Sequence, residues 1–101
     1  MVNKISDLEF REKVSVDKKV IIDCYADWCG PCRMLGPVIE EVASELNNCD
    51  FYKLNVDENK EIPKKYGIMS IPTILIFDSG ELKEQLVGFR SKEELIEIIN
   101  K

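Results

Sequence analysis

The sequence has 101 residues, of which 45% are apolar and 33% charged, with a formal charge of -5. This is the profile of a globular soluble chain forming one domain over residues 1–101, able to bury about two-thirds of its unfolded surface, and it argues against disorder. An acidic chain without a lysine or arginine run offers no footprint for nucleic acid or anionic membranes, and no apolar stretch approaches the roughly 20 residues that cross a bilayer.

Val2 to Ile5 reads as a short extended start. Ser6 and Glu9 have capping-box spacing, which predicts a helix over Asp7 to Val14. Lys19 to Ala26 is rich in β-branched residues without polar alternation, the pattern of a strand covered on both faces. It ends at Trp28-Cys29-Gly30-Pro31-Cys32. Beyond it, Met34, Val38, Val42 and Leu46 recur every fourth residue beside Leu35, Ile39 and Ala43, an amphipathic helix with Pro37 inside it, where a kink is expected.

Phe51 to Val56 reads as the next strand, closing a β-α-β unit that is parallel with a right-handed crossover. Asp57 to Tyr66, interrupted by Pro63, is a short helical or irregular segment. Ile71 to Phe77 reads as a strand, Asp78-Ser79-Gly80 as a turn, and Glu81 to Val87 as the returning antiparallel strand, whose Lys83, Glu84 and Gln85 suit a sheet edge. Ser91 and Glu94 repeat the capping-box spacing before Leu95, Ile96, Ile98 and Ile99, the apolar face of a terminal helix.

There are four cysteines, Cys24, Cys29, Cys32 and Cys49, and no histidine, which excludes Cys-His catalysis and mixed Cys-His zinc sites. The Met1-Val2-Asn3-Lys4 start lacks a signal-peptide core, so a reducing, cytoplasmic setting is expected, where a close cysteine pair is catalytic or metal-binding. A cysteine attacks a disulfide only as thiolate, and a helix N-terminus, where Cys29 is placed, lowers its pKa. Cys32 lies one helical turn further on, near enough for a disulfide. Gly30 permits close approach of another backbone, and Pro31 presets φ in the first turn.

Trp28-Cys29-Gly30-Pro31-Cys32 matches the active-site motif of the thioredoxin family, and the resemblance extends over nearly the whole chain. Asp23 resembles that family's buried aspartate, Lys53 the lysine near it, Pro37 its helix-kinking proline, Ile71-Pro72-Thr73 its cis-proline loop, and Gly88 the glycine after its last strand. The resemblance implies an α/β fold with a central five-stranded mixed sheet flanked by four helices. It implies a protein-disulfide reductase in which Cys29 is the nucleophile, Cys32 resolves the mixed disulfide, Asp23 exchanges a proton with Cys32, and Lys53 modulates it. Trp28, Gly30, Pro31, Ile71, Pro72 and Gly88 then form the apolar face for disulfide-containing protein substrates. The Cys29–Cys32 disulfide is the redox centre, no cofactor is bound, and an NADPH- or ferredoxin-linked thioredoxin reductase returns the dithiol. A monomer is expected.

Three rivals stand beside this reading. Cys24, Cys29 and Cys32 have C-x₄-C-x₂-C spacing with Cys49 as a fourth ligand, the pattern of an iron–sulfur site, and a zinc site draws on the same residues. A thioredoxin-like subunit could use its apolar patch structurally. A disulfide isomerase or oxidase is disfavoured by the uncharged Gly30-Pro31 pair, since a cation there would stabilise the thiolate and make the disulfide more oxidising. Cys24 and Cys49 have no counterpart in the family pattern and read as a buried free thiol and an incidental loop thiol. Cys24 and Tyr25 stand where many relatives carry phenylalanine and tryptophan.

Overall fold

In the computed structural model, which describes residues 2–101, nine elements follow in the order β1 (Asn3–Lys4), α1 (Asp7–Val14), β2 (Lys19–Tyr25), α2 (Gly30–Glu45), β3 (Cys49–Asn55), α3 (Glu61–Lys65), β4 (Thr73–Asp78), β5 (Glu81–Val87) and α4 (Lys92–Ile99). The five strands form one mixed sheet in the order β1-β3-β2-β4-β5. β2 lies at its centre, parallel to β3 and antiparallel to β4, while β1 runs parallel to β3 and β5 antiparallel to β4. This is the thioredoxin fold that the family resemblance implies.

Residues of β2 alternate between two buried layers, as the two-residue period of a strand requires. Ile21 packs with Leu35, Ile39 and Val42 of α2 and Leu95 and Ile99 of α4 on one face. Val20, Ile22 and Cys24 pack on the other with Phe10 and Val14 of α1 and Ile62 of α3. A strand covered by helices on both faces has no solvent side to favour polar residues, which is why its sequence lacks alternation.

The helices begin where their sequences provide acceptors for unpaired N–H groups. At α4, Glu94 N–H donates to Ser91 Oγ at 3.2 Å and Ser91 N–H to Glu94 Oε1 at 3.0 Å, a complete capping box. At α1, the Ser6 N–H and hydroxyl both donate to Glu9 Oε1, at 2.9 and 3.1 Å. The short α3 is held from outside: Asp7 accepts from the N–H of Glu61 at 3.0 Å and of Ile62 at 3.1 Å, joining α3 to α1. Pro37 lies inside α2 without ending it.

Several boundaries differ from the sequence reading: β2 ends at Tyr25 instead of Ala26, β3 at Asn55 instead of Val56 and β4 at Asp78 instead of Phe77, α3 is confined to Glu61–Lys65, and two strand starts move by two residues. β3 begins at Cys49 instead of Phe51, because Cys49 and Asp50 pair with Lys19 and Val20 of β2. β4 begins at Thr73 instead of Ile71; the Ile71–Pro72 peptide bond is cis, and this dipeptide belongs to the loop before the strand. Among the described residues no helix is long and apolar enough to cross a membrane.

Candidate active site

Parallel β2 and β3 open their carboxyl ends at the same edge of the sheet, where α/β proteins commonly place their chemistry. The chain leaves β2 there through Ala26, and Cys29 N–H donates to Ala26 O at 3.2 Å. Cys29 is the N-cap of α2: its extended backbone starts the helix and its sulfur accepts the Cys32 N–H at 3.2 Å. Pro31 sits in the first turn, where its missing N–H leaves no helical bond unmade. Cys29 and Cys32 are joined in a disulfide with their Cα atoms 5.2 Å apart, inside the ordinary span of such bridges. Both cysteines are only 4% exposed. On reduction, the N–H groups and positive dipole end of α2 favour a thiolate at Cys29.

A second loop packs against the disulfide. The Ile71 carbonyl oxygen lies 3.8 Å from Cys29 Sγ. Pro72 O accepts the Gly88 N–H at 2.8 Å, so the segment after β5 is tied to the cis-proline loop. Gly88 has φ 95°, a backbone conformation that side-chain-bearing residues avoid. Trp28, 69% exposed, stands beside the cysteines and donates its indole N–H to Asp57 Oδ2 at 2.8 Å. A Cβ added to Gly30 meets nothing within 4 Å, which leaves open space at the mouth of the site.

Behind Cys32 lies a cleft of about 360 Å³ whose walls include Asp23, Tyr25, Asp27, Arg33 and Lys53. Asp23 is 4% exposed, and burial pushes its carboxyl up to about 7, with the opposing pull of Lys53 too weak to offset it. Its Oδ1 has no hydrogen-bond partner. Strand register places Lys53 directly across from Asp23. Asp23 therefore stands as a buried carboxyl able to change protonation near neutrality in the same cleft as Cys32.

The four cysteines do not converge. Cys24 belongs to the core on the α1 and α3 side of the sheet, away from the disulfide, and burial, reinforced by Asp23, pushes its thiol up to about 12. Cys49 pairs with Lys19 at the far end of β2 and β3, whereas Tyr25 and Asn55 pair at the site end, a separation of about 20 Å along the strands. Cys24 and Cys49 are free thiols. Among the described residues no group of three or more histidine, cysteine, aspartate or glutamate side chains is placed to hold a metal ion, so the iron–sulfur and zinc readings have no built site.

Four residues at the site had no role assigned by the sequence pattern: Tyr25, Asp27 and Arg33, which line the cleft with Cys32, and Asp57, which holds the Trp28 indole. The last was accessible from register. Val56 N–H donates to Tyr25 O at 2.9 Å, so the residue after Val56 emerges beside the chain leaving β2.

The thioredoxin family model matches residues 1–101. A thioredoxin of Rickettsia bellii is 48% identical over 102 residues, covering 99% of this chain and 97% of the relative. A thioredoxin of Listeria monocytogenes is also 48% identical over 102 residues, covering 100% of this chain and 98% of the relative. Among solved structures, the thioredoxin of Malassezia sympodialis superposes with a TM-score of 0.88 at 36% identity, covering 98% of this chain and 90% of that one. With the disulfide in place at the start of α2 and these relatives aligned end to end, the chain belongs to the thioredoxin family, as a thiol–disulfide oxidoreductase whose active-site bond joins Cys29 and Cys32.

Proposed function

We propose that residues 1–101 act as one domain that reduces disulfides in other proteins. The observation that carries this reading is the Cys29–Cys32 pair at the N-terminus of α2 with the buried Asp23 carboxyl in the cleft behind Cys32. In the dithiol form, the Cys29 thiolate attacks one sulfur of a partner's disulfide. The partner's bond breaks, its other sulfur leaves as a thiolate that takes a proton from solvent, and a mixed disulfide forms. Asp23, ionised, then accepts the Cys32 proton. The Cys32 thiolate attacks Cys29, the partner's second sulfur leaves as thiol after protonation, and the internal disulfide is restored. Two electrons have passed to the partner.

Lys53 modulates the step through the charge it presents to Asp23. The exposed Trp28, with Gly30, Pro31, Ile71, Pro72 and Gly88, forms the docking face, and the Ile71 backbone pairs with an extended partner segment. An NADPH- or ferredoxin-linked thioredoxin reductase is the expected source of electrons. Free thiols at Cys24 and Cys49 suit a reducing, cytoplasmic setting.

The test sets the Cys29–Cys32 disulfide against a glutathione or reference-dithiol buffer, scored by thiol alkylation, beside a Cys32→Ser variant mixed with an oxidised protein substrate. A disulfide more reducing than glutathione, together with a trapped mixed disulfide through Cys29, is the expected pair of results. A potential at or above that of glutathione would turn the assignment to an isomerase or oxidase.

A further inference from the structure

The cleft behind Cys32 contains an unusual arrangement of charge. Asp23 has an unsatisfied buried oxygen, and Lys53 is its cross-strand partner. Yet among the described residues Lys53 makes no ion pair within 4.0 Å, with Asp23 or any other acid. Its ammonium instead lies over the Tyr25 ring, 5.7 Å from the centroid. That is within the range of a cation–π contact. Tyr25 is two residues from Asp23 on β2, so both side chains project from the same face of the sheet.

From this geometry we infer that Tyr25 is a positioning residue: its ring holds the Lys53 ammonium away from Asp23 and so leaves that carboxyl free to carry a proton between Cys32 and solvent. The inference rests on the assignment of Asp23 as proton exchanger. A lysine paired directly with Asp23 would fix the carboxylate in its charged form, and a fixed carboxylate is a poor proton carrier. A lysine absent altogether would leave burial unopposed. The ring holds the cation near the carboxyl without an ion pair.

The other groups around Asp23 do not duplicate this control. From α2 the cleft receives Cys32 and Arg33, and from the loop after β2 it receives Asp27. From β4 the residue opposite Asp23 is the apolar Ile74. Cys24, next in sequence, belongs to the opposite layer. Lys53 is thus the cation whose charge acts on Asp23, and Tyr25 is the group that determines where that cation rests.

The experiment follows the Asp23 carboxyl by carbon NMR in reduced protein across pH, for wild type, Tyr25→Phe, Tyr25→Leu and Tyr25→Met, each repeated with Lys53→Met. Tyr25→Phe keeps the π face and leaves the midpoint in place. Tyr25→Leu lets the ammonium approach to ion-pairing distance and lowers the midpoint by about one pH unit, the order of effect of drawing a unit charge about 2 Å closer at intermediate dielectric. Tyr25→Met, also without a ring, repeats the result if the leucine variant does not fold. With Lys53→Met the ring substitutions have no effect. The inference is overturned if the Tyr25→Leu midpoint stays or rises, or if it shifts equally without Lys53. The pH profile of mixed-disulfide resolution is measured in parallel with Asp23→Asn. An unchanged profile in Asp23→Asn removes Asp23 as the proton exchanger, whereas a changed profile with an unmoved Tyr25→Leu midpoint removes only the role of Tyr25.

Discussion

Replacing Asp23 by asparagine should stabilise the oxidised protein, increasingly so as pH rises. Burial raises the Asp23 pKa from its ordinary value of 3.8 to about 7 in the folded protein. Below about pH 4 the carboxyl is protonated in both folded and unfolded chains, and aspartate and asparagine are near equivalents. Between about pH 4 and pH 7 the unfolded chain ionises while the folded one retains its proton, so wild-type stability declines by about 1.4 kcal/mol per pH unit. Above pH 7 both are ionised and the whole cost of the buried charge is present, about 4 kcal/mol from the shift alone. Relaxation and water entering the cleft reduce this, and about 2 kcal/mol is the least the argument allows. Asparagine carries no such cost. Urea unfolding of both proteins with the disulfide closed, from pH 4 to pH 8, measures the difference; other ionisable groups cancel. With a urea slope of about 1–2 kcal/mol/M, the variant's midpoint should exceed that of wild type by about 1–4 M at pH 8. A difference constant across pH, or one favouring wild type at pH 8, would refute the reasoning.

Asp7→Ala removes the acceptor for two N–H groups of α3 and should cost about 1–2 kcal/mol, seen as a lower Tm, with Asp7→Asn recovering part of the loss; an unchanged Tm would show that the tie between α1 and α3 carries no weight. Gly88→Ala should cost about 1 kcal/mol through backbone conformation alone, because the nearest atom to an added Cβ is Arg90 Nη1 at 3.8 Å. Chemical denaturation decides this, and a loss above about 3 kcal/mol would reveal a steric conflict instead.

What the sequence disclosed was set by the range of each signal. Local patterns were legible: the fourfold recurrence of apolar residues in α2, the apolar run of β2, and the spacing of Ser91 with Glu94 each follow from neighbours within a turn or a pleat. The cysteine pair belongs with them, since three residues place it on one helical start. The start of β3 was not local, because Cys49 and Asp50 become strand only by pairing with Lys19 and Val20. Ile71 and Pro72 misled by composition: one is β-branched and both are apolar, yet they stand outside the ladder. The Tyr25–Lys53 stack and the bond from Trp28 to Asp57 join residues far apart in the chain, and only register brings such pairs to view. Separate faces of the sheet likewise divide Cys24 from Cys32, although their spacing suggested a shared site.

The recessed position of Cys29 has a consequence for what the protein can act upon. Cys29, a residue only 4% exposed in the disulfide form and set between a protruding tryptophan and the cis-proline loop, is poorly matched to a flat, folded face. Its support is stiff, since it starts a long helix whose core side is fully packed, so the adaptation must come from the other molecule. A disulfide in a segment able to peel away and lie extended will reach it, and one clamped inside a rigid domain will not. On the proposed reading, selection among protein disulfides is mechanical, and susceptibility should rank with the local unfolding free energy of the segment that carries the target bond.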